Sequence, residues 1–272
     1  TFVYTPQDVL PNSLRPYHIK AFRFLYARMR HVFLNAKQNE PLVIEHFSVP
    51  RERITVLPIA DLTAFVRTHA ARESPNVPDG AHVVLCFGLI EPRKGIHTLL
   101  SAAPEVIRQV PNTLILIVGK PLMDIAPLQR QVEELGLQER VRLVPEYASF
   151  AQMAGYFTAA RFLVLPYENG WNSGVLASAF GFGKPVIATR VGGFDEVVTD
   201  ESTGLLVPPK DPDLLAKAMV RLLRDEALYS RMSANVRAAA TEISWETIAG
   251  LTGARYADLL RTGADCAVSQ AR

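Results

Sequence analysis

The sequence predicts an α/β protein built on a doubly wound parallel sheet. From residue 82 onward, short apolar runs such as HVVLCF (82–87) and TLILIV (113–118) alternate with amphipathic stretches. This alternation is typical of parallel strands that are covered by helices on both faces. The stretches between the strands are long enough for right-handed crossover helices. Turn residues, among them Gly-Lys-Pro at 183–185, separate the elements.

The elements can be assigned in chain order. Strands are predicted at 2–5, 31–34, 54–58, 82–88, 113–119, 140–145, 162–166, 185–189 and 204–208. Helices are predicted at 16–29, 38–47, 96–109, 127–135, 150–157, 174–181 and 195–198, followed by three C-terminal helices. Asp211 before Pro212 and Ser244 before Trp245 are predicted helix caps, because a short polar side chain satisfies the first free N–H groups of a helix.

The same pattern divides the chain into regions. Residues 61–80 contain Pro75 and Pro78 and lack sustained periodicity, which predicts a linker. We therefore expect a first unit at 1–60, a complete domain at 81–243 and a C-terminal helical segment at 244–272. The chain opens on an apolar strand without an initiating Met, so we expect it to be truncated or processed. A sheet that lacks strands would expose an edge for a second chain or fragment to complete.

Composition excludes several classes of function. The 272 residues are 49% hydrophobic and 21% charged, and the net charge of +2 gives no field that would attract nucleic acid. No apolar run reaches the length of about 18–20 residues that a membrane span needs. Two cysteines, Cys86 and Cys266, provide neither a disulfide framework nor a metal cluster, and a cytoplasmic location is expected.

The segment 163–189 carries the first candidate site. An apolar strand leads into a loop that opens a helix with Asn172, Ser173 and Gly174. The first N–H groups of a helix lack partners and suit a phosphate. Parallel α/β units also place helices in this way for packing alone, so both interpretations stand for this segment.

A second loop lies at the same predicted sheet edge. Gly88 ends a strand, and Arg93 and Lys94 precede the next helix. Ligands of open parallel sheets bind beyond the carboxyl ends of the strands, where these two cations could neutralise a diphosphate. A solvated basic turn is the alternative. At the end of another strand, Glu146 and Tyr147 could meet a nucleobase, although Glu146 could equally cap the following helix.

Taken together, these segments resemble retaining glycosyltransferases of the GT-B fold, family 4 (glycosyltransferase group 1). The resemblance covers FGLIEPRKGIHTLLSAAPEV, TLILIVGK, LGLQERVRLVPEY, AARFLVLPY, GFGKPVIATRVGGFDEVV, TGLLVPPKD and ISWETIA, in the family's order. It implies that residues 1–60 are the end of an acceptor-side, N-terminal Rossmann-like domain. Residues 81–243 would be the complete, Rossmann-like nucleotide-sugar domain, with the C-terminal helix packing back toward the first domain.

The resemblance also implies site residues. Arg93 and Lys94 would stabilise a leaving diphosphate that is held by the amides of Ser173, Gly174 and Val175. The remaining nucleotide-sugar contacts would be Gly88, Glu146, Tyr147, Asn172 and a ribose contact from Ser178, with Gln7 and Asp8 as sugar contacts from the first domain. The family commonly has two Glu residues where this chain has Gly170 and Ser178, and a His where it has Gln7.

The resulting expectation is a hexosyltransferase that uses a UDP-sugar or a GDP-sugar and a saccharide or lipid-linked acceptor in cell-surface polysaccharide synthesis. No cofactor, metal or nucleic acid is expected, and the protein would be cytoplasmic or peripheral at the inner membrane face. Because the family's two Glu residues are absent at Gly170 and Ser178, a non-catalytic homologue is an alternative. A nucleotide-sugar epimerase of the same fold is a further alternative.

Overall fold

Two parallel sheets organise the chain. The computed structural model describes residues 2–6, 9, 16–61, 63, 75–170 and 173–269. The first sheet has the order β1-β2-β3 and contains β1 (Val3–Tyr4), β2 (His31–Leu34) and β3 (Ile54–Val56). Helices α1 (Pro16–Arg28) and α2 (Asn39–Phe47) connect these strands and pack on each other.

The second sheet has six parallel strands in the order β6-β5-β4-β7-β8-β9. They are β4 (His82–Phe87), β5 (Thr113–Val118), β6 (Val141–Val144), β7 (Phe162–Leu165), β8 (Val186–Thr189) and β9 (Gly204–Val207). The strand order reverses between β4 and β7, which are paired at Val84–Phe162 and Leu85–Leu163. Ligands of open α/β sheets bind at such a switch point.

Helices cover both faces of this sheet. They are α3 (Ile96–Gln109), α4 (Ala126–Glu134), α5 (Phe150–Ala159), α6 (Gly174–Gly181), α7 (Phe194–Val197), α8 (Pro212–Arg224), α9 (Glu226–Ala239) and α10 (Trp245–Ser269). Successive residues of β4 point to opposite cores: Val84 and Cys86 lie in one, Val83 and Leu85 in the other. The predicted α/β class with a doubly wound parallel sheet is therefore confirmed.

Most element boundaries agree with the sequence-based prediction to within two residues. The first strand is shorter than expected because only Val3 and Tyr4 pair with β2. The predicted caps are confirmed: Asp211 accepts a hydrogen bond from the N–H of Leu214 at 2.9 Å, and Ser244 accepts one from the N–H of Thr247 at 3.1 Å. In the predicted linker, residues 62 and 64–74 lie outside the described part of the chain.

The last helix reaches the first sheet. The ring of Tyr256 lies 5.6 Å from that of Phe33, and the Arg255 side chain donates to Nε2 of His31 at 3.4 Å. Burial, together with the charge of Arg255, lowers the pKa of His31 to about 4, so this histidine is neutral at pH 7. Within the described ranges, no helix is both long and apolar enough to cross a membrane.

Candidate functional site

The loops that follow β4 and β7 meet at the switch point of the larger sheet. The N–H of Glu168 donates to the carbonyl of Arg93 at 2.8 Å, which ties the two loops together. Gly95 adopts a left-handed conformation with φ +62°, and a Cβ there would lie 2.0 Å from the carbonyl oxygen of Pro166. Only glycine fits this close approach, so the local sequence Arg-Lys-Gly dictates how the basic loop turns into α3.

Lys94 is a buried cation at this point. Its side chain is 8% exposed, and its Nζ lies 3.7 Å above the centre of the Tyr167 ring. Burial, with a smaller contribution from neighbouring Arg93, lowers the pKa of Lys94 to about 8. The ammonium is therefore charged at pH 7 but poorly compensated, as expected of a group that gains an anionic partner on binding.

Arg93 lies nearer to solvent and is paired. Its Nη2 is 2.6 Å from Oε1 of Glu91. A Cβ at Gly170 would lie 3.3 Å from Nη1 of Arg93. The position where the family commonly carries an acid thus adjoins this guanidinium.

The start of α6 faces the same edge. Ser173 caps the helix, since its Oγ accepts the N–H of Leu176 at 3.3 Å, and Gly174 and Val175 form the first turn. Gly88 packs beneath this turn with φ +109°, and a Cβ at Gly88 would lie 3.2 Å from Cγ2 of Val175. The two predicted loops therefore meet at the carboxyl ends of the neighbouring strands β4 and β7.

A narrow crevice runs from this helix start toward the first sheet. Ser173, Leu176 and Ala177 line one side, and Asn35, Pro58 and Ile59 line the other. The carboxylate of Glu196 on α7 accepts the N–H groups of Lys37 and Gln38 at 2.7 and 2.8 Å and so links α7 to the segment between β2 and α2. The candidate site lies at the junction between the sheets.

The predicted base contacts lie at the end of β6. Tyr147 is 74% exposed and Glu146 is also exposed, which leaves both side chains available to a ligand. The alternative role of Glu146 as a helix cap is wrong, because Ser149 caps α5 and forms a capping box with Gln152. A better sequence signal was present, since Ser-x-x-Gln is itself a capping-box pattern.

Ser178 requires a correction. Its side chain is fully buried, and its Oγ donates to the carbonyl of Gly174 at 2.7 Å. The hydroxyl has no surface with which to contact a ribose, so the predicted contact is wrong for this structure. The physical reason is helical geometry, because Ser178 lies one turn beyond Gly174 on the face of α6 that packs into the core. Three further predicted contacts, Asn172, Gln7 and Asp8, lie outside the described residues.

Sequence reasoning missed an ionic cluster beside the site. Glu168 contacts His97 Nε2 at 3.0 Å through Oε1 and Lys210 Nζ at 3.1 Å through Oε2. Lys210 holds a left-handed backbone conformation with φ +61°, which is uncommon for a residue with a side chain. The carboxylate of Glu168 is thus engaged by the His97 imidazole and the Lys210 ammonium and is not free to replace the acid absent at Gly170. No spacing in the sequence links 97, 168 and 210.

Lys94 and Lys184 differ in their surroundings. Lys184, in the Gly-Lys-Pro turn, donates to the carbonyls of Thr158 at 3.0 Å and Ala160 at 2.6 Å, so it has a structural role. Lys94 has no such acceptors among the described residues. The described part of the chain also brings together no group of three or more His, Cys, Asp or Glu side chains able to hold a metal ion.

Comparison with known proteins bears on the family and the fold of the chain. The family "Glycosyl transferases group 1" matches residues 81–225, slightly more than half of the chain. D-inositol 3-phosphate glycosyltransferase of Corynebacterium efficiens is 29% identical over 248 residues, covering 86% of this chain and 57% of the relative. The Corynebacterium urealyticum enzyme of the same name is 32% identical over 223 residues, covering 76% and 51%. The chain spans about half the length of the curated relatives it matches.

Solved structures show the same fold. Sucrose-phosphate synthase from Thermosynechococcus elongatus superposes with a TM-score of 0.76 at 26% identity, covering 96% of this chain and 68% of that one. Anabaena HepE in complex with UDP gives a TM-score of 0.80 at 20% identity, covering 94% and 72%. The predicted GT-B fold is confirmed by these neighbours. The family match over the site-bearing domain shows that the chain belongs to the group 1 glycosyl transferases.

Proposed function

We propose that the protein is a retaining glycosyltransferase that moves a hexose from a nucleoside-diphosphate sugar to a saccharide or lipid-linked acceptor in cell-surface polysaccharide assembly. The observation that carries the proposal is the buried, poorly compensated ammonium of Lys94 beside Arg93. These two cations lie at the same sheet edge as the first turn of α6. Two cations and a helix N-terminus at one sheet edge fit a diphosphate better than they fit any neutral ligand.

The same groups account for catalysis. When the glycosidic C–O bond of the donor breaks, negative charge develops on the departing diphosphate. Cations and amide dipoles fixed at that position lower the barrier because they need no reorganisation during the reaction. In the proposal, Lys94 and Arg93 carry this neutralisation without a metal, and the amides of Ser173, Gly174 and Val175 hold the diphosphate. Gly88 shapes the floor of the site, and Glu146 and Tyr147 receive the base.

UDP-sugars are the first donors to test, and GDP-sugars are the second choice. HepE, which shares the fold, is described in complexes with UDP and with UDP-glucose. The curated relatives are named for D-inositol 3-phosphate, which makes a phosphorylated polyol one of the acceptors to include beside saccharides and lipid-linked sugars. Completion of the first sheet by a second chain or fragment stays a prediction.

A thermal-shift panel followed by a transfer assay tests the function. UDP, GDP, ADP, dTDP and their sugars are each added, and a ligand at 100 times its Kd is expected to stabilise the fold by about 2.7 kcal/mol. Transfer or donor hydrolysis is then measured in the full-length protein. Lys94→Ala is expected to lower turnover by at least ~10²-fold, as when an oxyanion-type contact is removed. An unchanged rate in this variant would exclude the proposed role of Lys94.

One observation favours a second candidate, a non-catalytic homologue that binds nucleotide without turnover. Gly170 and the buried Ser178 occupy the positions of the family's usual acids, and Glu168 is held by His97 and Lys210. Stabilisation by a nucleotide together with neither hydrolysis nor transfer would favour this candidate. Stabilisation by none of the nucleotides would contradict both.

A further inference from the structure

Tyr167, two residues after the end of β7, contacts both parts of the candidate diphosphate site. Its side chain is 1% exposed and belongs to one of the two cores of the larger domain. The simplest interpretation is that the Tyr167 ring only packs in that hydrophobic core. Its two polar contacts indicate more.

The first contact is with Lys94. The ammonium lies 3.7 Å above the ring centre, and within the described part of the chain it makes neither a salt bridge nor a hydrogen bond. A desolvated cation over an aromatic face is held electrostatically by the quadrupole of the ring. Among the described residues, the Tyr167 ring is therefore the group that fixes where this charge lies.

The second contact is with the start of α6. The phenolic oxygen of Tyr167 lies 3.3 Å from Oγ of Ser173, the residue that caps the helix. Burial raises the pKa of Tyr167, so the phenol stays neutral, and either of the two hydroxyls can donate to the other. The Tyr167 hydroxyl thus contacts the residue that caps the first turn of α6.

Tyr167 itself is held firmly. Its carbonyl accepts the hydroxyl of buried Thr189 at 2.6 Å, and its ring packs on Phe194 with a centroid separation of 5.1 Å. The next residue, Glu168, donates its N–H to the carbonyl of Arg93. Because both its backbone and its ring are held, Tyr167 can fix the positions of the two groups that its side chain contacts, Lys94 and Ser173.

We propose that Tyr167 is a positioning residue that sets the separation between the Lys94 ammonium and the Ser173 cap, and so the geometry of the diphosphate site. The inference deepens the proposed function and rests on it for the nature of the anion. It assigns no reacting atom to Tyr167, which acts through Lys94 and Ser173.

A double-mutant cycle tests the first half of this inference. Tyr167→Leu removes the ring, and binding of inorganic pyrophosphate to the full-length protein is measured by calorimetry in the presence and absence of Lys94→Ala. The single change is expected to raise the Kd by about 10-fold, in the range of a desolvated cation–π contact. In the Lys94→Ala background the same change is expected to have less than about a 2-fold effect, because its target is gone.

The conservative variant Tyr167→Phe tests the second half of the inference, the contact with Ser173. Tyr167→Phe keeps the ring and loses the hydroxyl, so a loss of about 3-fold is expected, in the range of one neutral hydrogen bond. Ser173→Ala is expected to cause a smaller loss in the Tyr167→Phe background than in wild type, because the contact that the two residues share is already gone and only the cap to the N–H of Leu176 is then removed. Phe157→Leu, which removes a buried ring of the same core that packs on Phe87 and Phe182, controls for a general cavity effect.

A readout without any ligand keeps the inference falsifiable if binding is weak. In wild type and Tyr167→Phe, the ring current should shift the NMR signals of the Lys94 ε-methylene upfield, and in Tyr167→Leu this shift should be lost. Absence of the shift in wild type would overturn the geometry. Equal effects of Tyr167→Leu with and without Lys94, or an equal effect of Phe157→Leu, would overturn the positioning role.

The outcomes separate this inference from the proposed function. Coupling between Tyr167 and Lys94 in pyrophosphate binding, with no transfer from any nucleotide sugar, would retain the positioning role and refute the transferase. Sugar transfer together with additive effects of the Tyr167 and Lys94 changes on pyrophosphate binding would retain the transferase and refute the positioning role.

Discussion

Replacing Lys94 by Met should stabilise the free protein while it destroys the diphosphate site. Methionine is unbranched and similar in length to lysine, so it can occupy the same space against the Tyr167 ring, where sulfur also makes favourable contacts. The change removes a charge that the fold keeps 92% out of solvent without a salt bridge among the described residues. The gain in stability and the loss of binding have the same cause.

The pKa of Lys94 gives the magnitude. A fall from the usual 10.5 to about 8 in the folded state corresponds to about 3 kcal/mol of destabilisation when the group is charged. Loss of the contact with the Tyr167 ring offsets up to about 2 kcal/mol of that gain. The variant is therefore expected to be more stable than wild type by about 1 kcal/mol at pH 7.

The sign of the pH dependence follows from the lowered pKa. Below pH 8 both the folded and the unfolded wild type hold the proton, so the full penalty is present. Between pH 8 and 10.5 the unfolded state holds a proton that the folded state has released, so wild-type stability rises with pH. The advantage of the Lys94→Met variant should shrink across that window.

Urea unfolding of both proteins at pH 7 and near pH 10 measures this difference. Lys184→Met is the matched control, because burial also lowers the pKa of Lys184 but its ammonium donates to the carbonyls of Thr158 and Ala160. That variant is expected to be less stable by about 1–3 kcal/mol, since two acceptors lose their donor. A Lys94→Met protein that is less stable than wild type at pH 7 would refute the reasoning.

Three further predictions concern the same site. The value of kcat/KM should fall above pH 8 as Lys94 loses its proton, and a pH–rate profile that stays flat to pH 10 would contradict this. Gly95→Ala should lower stability by about 1–3 kcal/mol and weaken donor binding, because its Cβ would overlap the Pro166 carbonyl; a melting curve and a UDP titration check both effects. Ser178→Ala should leave the KM for the donor within about 2-fold, since its hydroxyl donates to Gly174 and not to a ligand, and a 10-fold rise would restore the predicted ribose contact.

Much of the fold was accessible from local patterns. The strand and helix assignments rest on apolar periodicity, and the caps at Asp211 and Ser244 rest on side chains that bond to nearby N–H groups. Both are decided within a few residues of chain. The first strand was predicted too long because its length depends on pairing with β2, which is distant in sequence.

The candidate site was predictable in outline only. Loops after parallel strands converge on one sheet edge, so Arg93 and Lys94 could be associated with Ser173 and Gly174 before any coordinates were known. Which hydroxyl faces the ligand could not be decided in the same way. Ser178 turned into the core because the orientation of α6 is set by its packing on the sheet and not by its own sequence.

By itself, the sequence of this chain determined the order of its elements and the edge at which its loops meet, because hydrophobic period and turn chemistry are local. Only the tertiary structure decided that Tyr167 lies under Lys94 and that Glu168 joins His97 to Lys210. Those contacts depend on β4 pairing with β7, which brings together loops some 70 residues apart. No local sequence pattern specifies how close these two loops come to each other. The basic loop forms a candidate site only because the loop after β7 lies next to it.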